Sequence, residues 1–165
     1  MDFVIDRAEH LGVSDNEIST LLHQVYVDGG YTSSEVAQRV FEPSLVRKRG
    51  QMFTARNTSN NQFAGMVIIV PPTSSAISLA KENECEMHLL GVKPEFRGSG
   101  LGRKLVAKAI QHSEINKYSK IILWTQKSML QAQQLYESFG FRQTKEMTKN
   151  GIEFLVYERN NITNA

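Results

Sequence analysis

The stretch Arg97-Gly98-Ser99-Gly100-Leu101-Gly102 constrains this chain more than any other. An apolar run through Leu89, Leu90 and Val92 leads into Pro94, and the basic, glycine-dense loop follows. Past the loop, Leu101, Leu105, Val106, Ala109 and Ile110 fall on one stripe at helical spacing, which predicts a helix over about 100–114. A strand, a glycine loop and a helix start together present bare backbone N–H groups to a phosphate, with the positive end of the helix dipole behind them.

The flanking segments complete a mixed α/β pattern. Ile121 to Trp124 reads as a buried strand, so strand, helix and strand make a unit whose two strands are expected to run parallel with a right-handed crossover. Upstream, Phe3-Val4-Ile5 is a short first strand. Ser14 or Asp15 caps an amphipathic helix over about 15–27, with Glu17 in its first turn. A shorter helix starts at Ser33 or Ser34, and Pro43 is expected to close it. Residues 51–56 and 62–70 pair as a hairpin, and the continuous run Met66 to Val70 marks a central strand buried on both faces. The small, polar residues 73–83 read as a mobile loop at the mouth of a site. A helix over about 129–139 buries Ala132, Leu135, Tyr136 and Phe139 and ends at Gly140. Strands 141–147 and 152–158 then turn at Asn150-Gly151, and Asn160–Ala165 reads as frayed.

Composition bounds the partners. The 165 residues, 41% hydrophobic and 22% charged, suffice for one soluble domain over 1–165 with a substantial core. A net charge of +2 is too small to demand nucleic acid, and the triplet Arg47-Lys48-Arg49 reads as a solvated helix end or loop. Cys85 is the only cysteine, which precludes an intrachain disulfide and suits a reducing compartment. The N-terminal MDFVIDRAEH lacks the apolar core of a secretory signal, and no run approaches the roughly 18 apolar residues of a membrane span. The expected location is cytoplasmic, without membrane or nucleic-acid partners. The scattered histidines and the single cysteine form no metal-ligand pattern.

Three phosphate-binding patterns compete for the loop. The P-loop string G-x-x-x-x-G-K-[ST] is absent. A dinucleotide fold needs G-x-G-x-x-G and an acid at the end of the next strand, whereas here the glycines are at 98, 100 and 102 and the strand ends Trp124-Thr125-Gln126. The third pattern, R/Q-x-x-G-x-G/A, which grips the pyrophosphate of coenzyme A, matches Arg97 to Gly102. With Leu90-Gly91-Val92-Lys93-Pro94 before it and Ala132-x-x-Leu135-Tyr136-Glu137-x-x-Gly140-Phe141 after it, the chain resembles the GCN5-related N-acetyltransferases. The strong match covers about 84–142, and the N-terminal third matches in element order.

The resemblance implies a central mixed sheet of about six or seven strands with about four helices. It also implies acetyl transfer from acetyl-CoA to a primary amine by direct attack in a ternary complex, without a metal. Backbone groups of Leu90, Gly91 and Val92 are expected to pair with the pantetheine arm, and the Leu90 N–H to polarise the thioester carbonyl. Gly91, in an otherwise apolar strand, is consistent with a bulge or a close backbone approach. Arg97, Gly98, Ser99, Gly100, Leu101, Gly102 and Arg103 are expected to hold the cofactor's phosphates. Spacing alone reads Tyr136 as core, while the resemblance gives it the role of the acid that protonates the leaving thiolate; a phenol of pKa about 10 keeps its proton at neutral pH.

A lysine-like amine costs roughly 4–5 kcal/mol to hold neutral at pH 7, so a base is expected. Glu86 and His88 alternate onto one face of the same strand, about 6.5–7 Å apart at Cα. Relatives place a glutamate at the position of Glu86, which ranks it ahead of His88, with a water relay open to either. Met129 stands where many relatives carry a cofactor-contacting asparagine, and neighbouring Ser128 is a substitute. A catalytically silent acyl-CoA-binding or interaction module on the same fold is the alternative. The acceptor, a small molecule or a protein or peptide amine, is unspecified; Tyr26, Asp28, Tyr31 and Glu35 are candidates for an acidic, aromatic wall around it. Homodimers are frequent in such families.

Overall fold

The computed structural model describes residues 1–161, which fold around one seven-stranded sheet. The strands are β1 (Phe3–Arg7), β2 (Gln51–Asn57), β3 (Phe63–Val70), β4 (Glu84–Val92), β5 (Lys120–Gln126), β6 (Arg142–Lys149) and β7 (Ile152–Asn160), in the order β1-β2-β3-β4-β5-β7-β6. All neighbours are antiparallel except β4 and β5, the parallel pair that the strand–helix–strand pattern predicts. The helices are α1 (Asp15–Leu22), α2 (Ser34–Val40), α3 (Pro43–Lys48), α4 (Leu101–Ile115) and α5 (Leu130–Ser138).

Two apolar layers cover the sheet. On one face, Val67, Ile69, Cys85, Met87, Ile121 and Leu123 pack against Leu101, Leu105, Val106 and Ala109 of α4 and Tyr136 of α5. On the other, Met52, Met66, Ile68 and Val70 meet Ile18, Leu21 and Leu22 of α1 and Val46 of α3. Every residue of β3 is buried, as its unbroken apolar run requires. Among the described residues no helix is long and apolar enough to cross a membrane.

Local sequence explains the element ends. Ser14 caps α1 by a reciprocal box: its Oγ accepts from the Glu17 N–H, and the Glu17 carboxylate accepts from the Ser14 N–H. The helix then widens into a π turn over His23–Val27, where the sequence pattern predicts a uniform helix to residue 27. Pro43 does not simply close α2: it opens α3, where its missing N–H costs nothing. Gly140 (φ +86°) ends α5, with Phe141 N–H donating to the Tyr136 carbonyl and Gly140 N–H to the Glu137 carbonyl. Asn150 and Gly151, at φ +53° and +76°, make the tight turn between β6 and β7.

Asn160 and Asn161, expected to be frayed, are ordered parts of the fold. Asn160 ends β7, and buried Asn161 donates through Nδ2 to Ser113 Oγ at 3.0 Å and to the Tyr118 carbonyl at 2.8 Å. Residues 162–165 lie outside the described residues. Segment 73–83 is held rather than loose: the N–H groups of Ser78, Leu79 and Ala80 all donate to the Glu86 carboxylate.

The pair Arg56–Glu17 ties α1 to the sheet. The guanidinium of Arg56, only 9% exposed, donates to both Glu17 oxygens and to the carbonyls of Leu11, Gly12 and Asn61. Hydrogen bonds from Arg56 lead the causes that hold the Glu17 carboxyl below its ordinary 4.5. Arg56→Ala strands a partly buried acid and three carbonyls, and is expected to destabilise by about 3 kcal/mol in urea unfolding. Because Glu17 is depressed in the folded state, its contribution is complete above the unfolded value and fades as pH falls below it. Glu17→Gln is therefore expected to narrow its stability gap to wild type as pH drops from 6 to 3; a constant gap would remove the ionised pair as the cause.

Candidate active site

The glycine loop takes the shape its sequence demands. A 3-10 turn over Pro94–Phe96 follows β4. Gly98 (φ +74°) and Gly100 (φ +82°) hold left-handed backbone that other residues adopt at a cost. Ser99 Oγ donates to the Phe96 carbonyl at 2.5 Å and closes the loop. Gly100 stands at the N-cap of α4, where it offers no side-chain acceptor, so the first helical N–H groups face outward uncapped.

Gly102 is informative in another way. A Cβ there would meet Leu135 Cδ2 at 3.7 Å and Val92 Cγ2 at 3.8 Å, ordinary contacts. The chain's own packing therefore tolerates a side chain at this position, although glycine in a helix costs about 1 kcal/mol relative to alanine. Close approach of a ligand is a physical reason for glycine there. Arg97 is exposed at the loop's start, whereas Arg103 turns onto α5: it donates to Ser138 Oγ at 2.9 Å and stacks over Phe139 at 4.8 Å.

Before the loop, β4 parts from β5. Their parallel register covers only Glu84–Lys120, Cys85–Ile121 and Glu86–Ile122. Beyond it, β4 bulges against β3 between the pairs Ile68–His88 and Met66–Gly91, with Leu89 at φ +52°. The bulge thus lies at Leu89–Leu90, and Gly91 serves the close approach: its carbonyl would stand 2.8 Å from a Cβ on Gly65, and Val25 of the π turn packs over it. Tyr26, on the same turn, donates its hydroxyl to the Leu90 carbonyl at 3.2 Å. Burial pushes the Tyr26 phenol up to about 12. Gln24 Oε1, also on this turn, is a buried acceptor without a partner among the described residues.

Glu86 and His88 share one face of β4 and form the first two members of a buried polar chain. Glu86 is fully buried. Its carboxylate accepts N–H groups from Ser78 at 3.0 Å, Leu79 at 2.6 Å and Ala80 at 2.8 Å, and it meets His88 Nε2 at 2.8 Å. Burial pushes the carboxyl up, but the hydrogen bonds from His88 and the three backbone groups outweigh it and hold the group below the ordinary carboxylate value.

On its other side, His88 Nδ1 lies 3.1 Å from Arg49 Nη1. A guanidinium only donates, so Nδ1 carries the lone pair and Nε2 carries the proton shared with Glu86. Burial drives the His88 imidazole below its ordinary 6.5; Glu86 pulls it up, and Arg49 pushes it down again. The Trp124 ring stands edge-on to it at 5.0 Å. Sequence reasoning missed Arg49. The signal was its place at the end of a helix opened by Pro43, directly before a strand; a basic triplet reads as solvated unless that helix is seen.

Tyr136 sits on α5, 7% exposed, with Phe141 edge-on at 5.9 Å and Tyr157 at 6.4 Å. Burial, with Tyr26 as a second contributor, raises its phenol above the ordinary 10; no hydrogen bond enters this balance. Cys85 points into the opposite layer with its thiol pushed up to about 12, as a core cysteine. Met129 Sδ accepts from Thr125 Oγ1 at 3.3 Å, and Ser128 is exposed. Of the expected acceptor wall, the Tyr31 carbonyl is joined to Gln126 Nε2 at 2.8 Å. Asp28 and Glu35 are exposed, with Asp28 beside His23 at 3.4 Å.

A mixed sheet with one parallel pair that parts beside a bulge and a glycine loop is the architecture of an acetyltransferase fold. The Acetyltransferase (GNAT) family matches residues 15–141, and the chain belongs to that family. An uncharacterised N-acetyltransferase of Schizosaccharomyces pombe is 47% identical over 75 residues, 46% of either chain. A mycothiol acetyltransferase of Thermobifida fusca is 27% identical over 139 residues, 82% of this chain and 42% of its own. An N-acetylaspartate synthetase of Danio rerio is 32% identical over 92 residues, 51% of this chain and 33% of its own. The matches thus span less than half the length of these relatives. Among solved structures, a GNAT acetyltransferase of Staphylococcus aureus superposes with a TM-score of 0.74 at 18% identity, covering 96% of this chain and 99% of its own. A Bacillus subtilis acetyltransferase in complex with CoA gives 0.68 at 19% identity over 98% and 100%.

The hydrogen-bond pattern around His88 predicts its spectrum. Two-dimensional 15N NMR is expected to show a neutral ring protonated at Nε2 at pH 7, with protonation only below pH 6.5, the direction set by burial. A doubly protonated ring at pH 7 would refute the assignment.

Proposed function

We propose that this chain is an acetyl-CoA-dependent N-acetyltransferase that acts on a primary amine by direct attack in a ternary complex. The observation that carries this reading is the parting of β4 from β5 after Glu86–Ile122, with the Leu89–Leu90 bulge lying between the buried His88 and the uncapped start of α4. Acetyl-CoA supplies the acetyl group as a thioester; the N–C bond forms as the C–S bond breaks.

On this reading the N–H groups of Gly98 to Gly102, the α4 dipole and Arg97 hold the pyrophosphate. The backbone of Leu90 to Val92 pairs with the pantetheine arm, and the Leu90 N–H polarises the acetyl carbonyl. Arg103 supports the site through α5. Tyr136 keeps its proton well above neutral pH and delivers it from its hydroxyl to the departing sulfur.

For the base, the geometry favours His88 over Glu86. The Glu86 carboxylate already accepts from three backbone N–H groups and from His88, which leaves it to orient the ring and stabilise the imidazolium. His88 Nδ1 receives the amine's proton, directly or through a water, once the Arg49 Nη1–H that its lone pair accepts at 3.1 Å has turned away. The names of relatives span N-acetylaspartate synthetase, mycothiol acetyltransferase and, among solved structures, an Escherichia coli ribosomal-protein-S18-alanine N-acetyltransferase, so the family leaves the acceptor open.

Release of CoA thiol, followed with acetyl-CoA and a panel of small amines and peptides, tests the proposal. Tyr136→Phe is expected to lower kcat by about 10²–10⁴-fold, with acetyl-CoA affinity nearly unchanged. An unaltered kcat would remove Tyr136 from the mechanism. Tight acetyl-CoA binding without turnover on any amine would instead mark a silent acyl-CoA-binding module.

A further inference from the structure

The arginines of this protein that are withdrawn from solvent are matched with acids, with one exception. Arg47 meets Asp15 at 2.8 Å, Arg56 meets Glu17 at 2.9 Å and Arg159 meets Glu114 at 3.4 Å. Arg49 is half-buried at the end of α3 and has no carboxylate within 4.0 Å among the described residues. Its Nη1 donates to His88 Nδ1 at 3.1 Å and its Nη2 to the Val40 carbonyl at 3.0 Å. A guanidinium carries five N–H donors in a planar fork, so three have no acceptor among the described residues. The acid in the same chain of contacts, Glu86, is one imidazole away with its oxygens already engaged.

An unpaired, half-desolvated guanidinium is costly to maintain for structure alone. Its fork is built to take a carboxylate in two parallel hydrogen bonds. It touches the ring proposed to receive the amine's proton, so a group held by Arg49 lies beside the reacting nitrogen. The acids expected to receive a cationic acceptor, Asp28 and Glu35, are exposed instead.

We infer that Arg49 binds a carboxylate of the acceptor, so that the substrates are amines bearing a carboxylate a few bonds from the reacting nitrogen, as α- and β-amino acids do. This assignment rests on the transferase reading with His88 at the amine. The half-buried Trp124 ring beside His88 offers an apolar wall to the rest of such a substrate.

The test is a matched series: α-amino acids with small, acidic and aromatic side chains, their amides, and the corresponding decarboxylated amines. Acetyl transfer is measured for wild type, Arg49→Gln and Arg49→Lys, and binding of the same compounds to the CoA-saturated protein is measured by calorimetry. The acid is expected to exceed its amide in kcat/KM by about ten- to a hundred-fold, the size of a charged hydrogen-bonded contact. The amide's amine is the less basic, so chemistry alone would favour the amide. Arg49→Gln is expected to abolish the preference mainly by raising KM for the acid, Arg49→Lys to keep part of it, and CoA affinity to stay unchanged in both.

Equal use of acid, amide and amine by wild type would overturn the inference and leave the transferase reading standing, as would an undiminished preference in Arg49→Gln. If no amine is acetylated, the calorimetric arm decides. Carboxylate binding that Arg49→Gln abolishes would uphold recognition by Arg49 while the transferase reading fails; no such binding would overturn the recognition as well. The wild-type series does not depend on either variant folding.

Discussion

Three register pairs join β4 to β5, and the pairing stops at Glu86–Ile122. The rest of the site depends on that stop. A parallel ladder that continued would bury the backbone of Leu89 to Val92 between strands and leave nothing for a ligand to pair with. Beyond the stop, Leu89 adopts φ +52° where β4 carries an extra residue against β3. A leucine in left-handed backbone costs roughly 1–2 kcal/mol. The close packing of Gly65 against the Gly91 carbonyl, with Val25 of the π turn laid over Gly91, supports that conformation from both sides.

Below the bulge, the Glu86 carboxylate orders the segment that precedes β4. A fully buried acid is tolerable only when its lone pairs are taken. Three consecutive backbone N–H groups from residues 78–80 and the His88 ring take them, and in doing so they pin the loop before β4. The same bond fixes the His88 tautomer, and Arg49 reads out that tautomer from the far side. Loop, strand and α3 are thus joined through one polar chain rather than through apolar contact alone.

Much of this was legible in the sequence, and each exception has a physical cause. The parallel strand–helix–strand pair, the glycine loop before α4, the end of α5 at Gly140 and the Asn150-Gly151 turn follow from patterns that lie close together in the sequence. Pro43 misled because proline both ends and begins helices. Gly91 marks either a bulge or a close backbone approach in the sequence; it serves the close approach, while Leu89 takes the left-handed backbone of the bulge under tertiary compulsion. Arg49, Glu86 and the 73–83 loop are distant in sequence, and their roles are set by who meets whom across the sheet. Alternation on β4 exposed the pairing of Glu86 with His88 but not the direction of its hydrogen bonds.

Charge balance connects these features to the chemistry proposed. Glu86 is anionic, Arg49 cationic and His88 neutral, so the buried chain sums to zero at rest. A proton accepted by His88 leaves the chain at +1 with an imidazolium against a guanidinium. Two like charges about 4 Å apart oppose one another by roughly 4 kcal/mol at an effective dielectric near 20. An acceptor that is only an amine leaves that repulsion in place, and Glu86 alone must offset it. A carboxylate on Arg49 restores neutrality at the moment the proton arrives, and it draws the guanidinium's charge away from Nδ1. The substrate then supplies the counter-charge that the protein, alone among its sheltered arginines, withholds from Arg49, and proton transfer to His88 is favoured when the correct acceptor is bound.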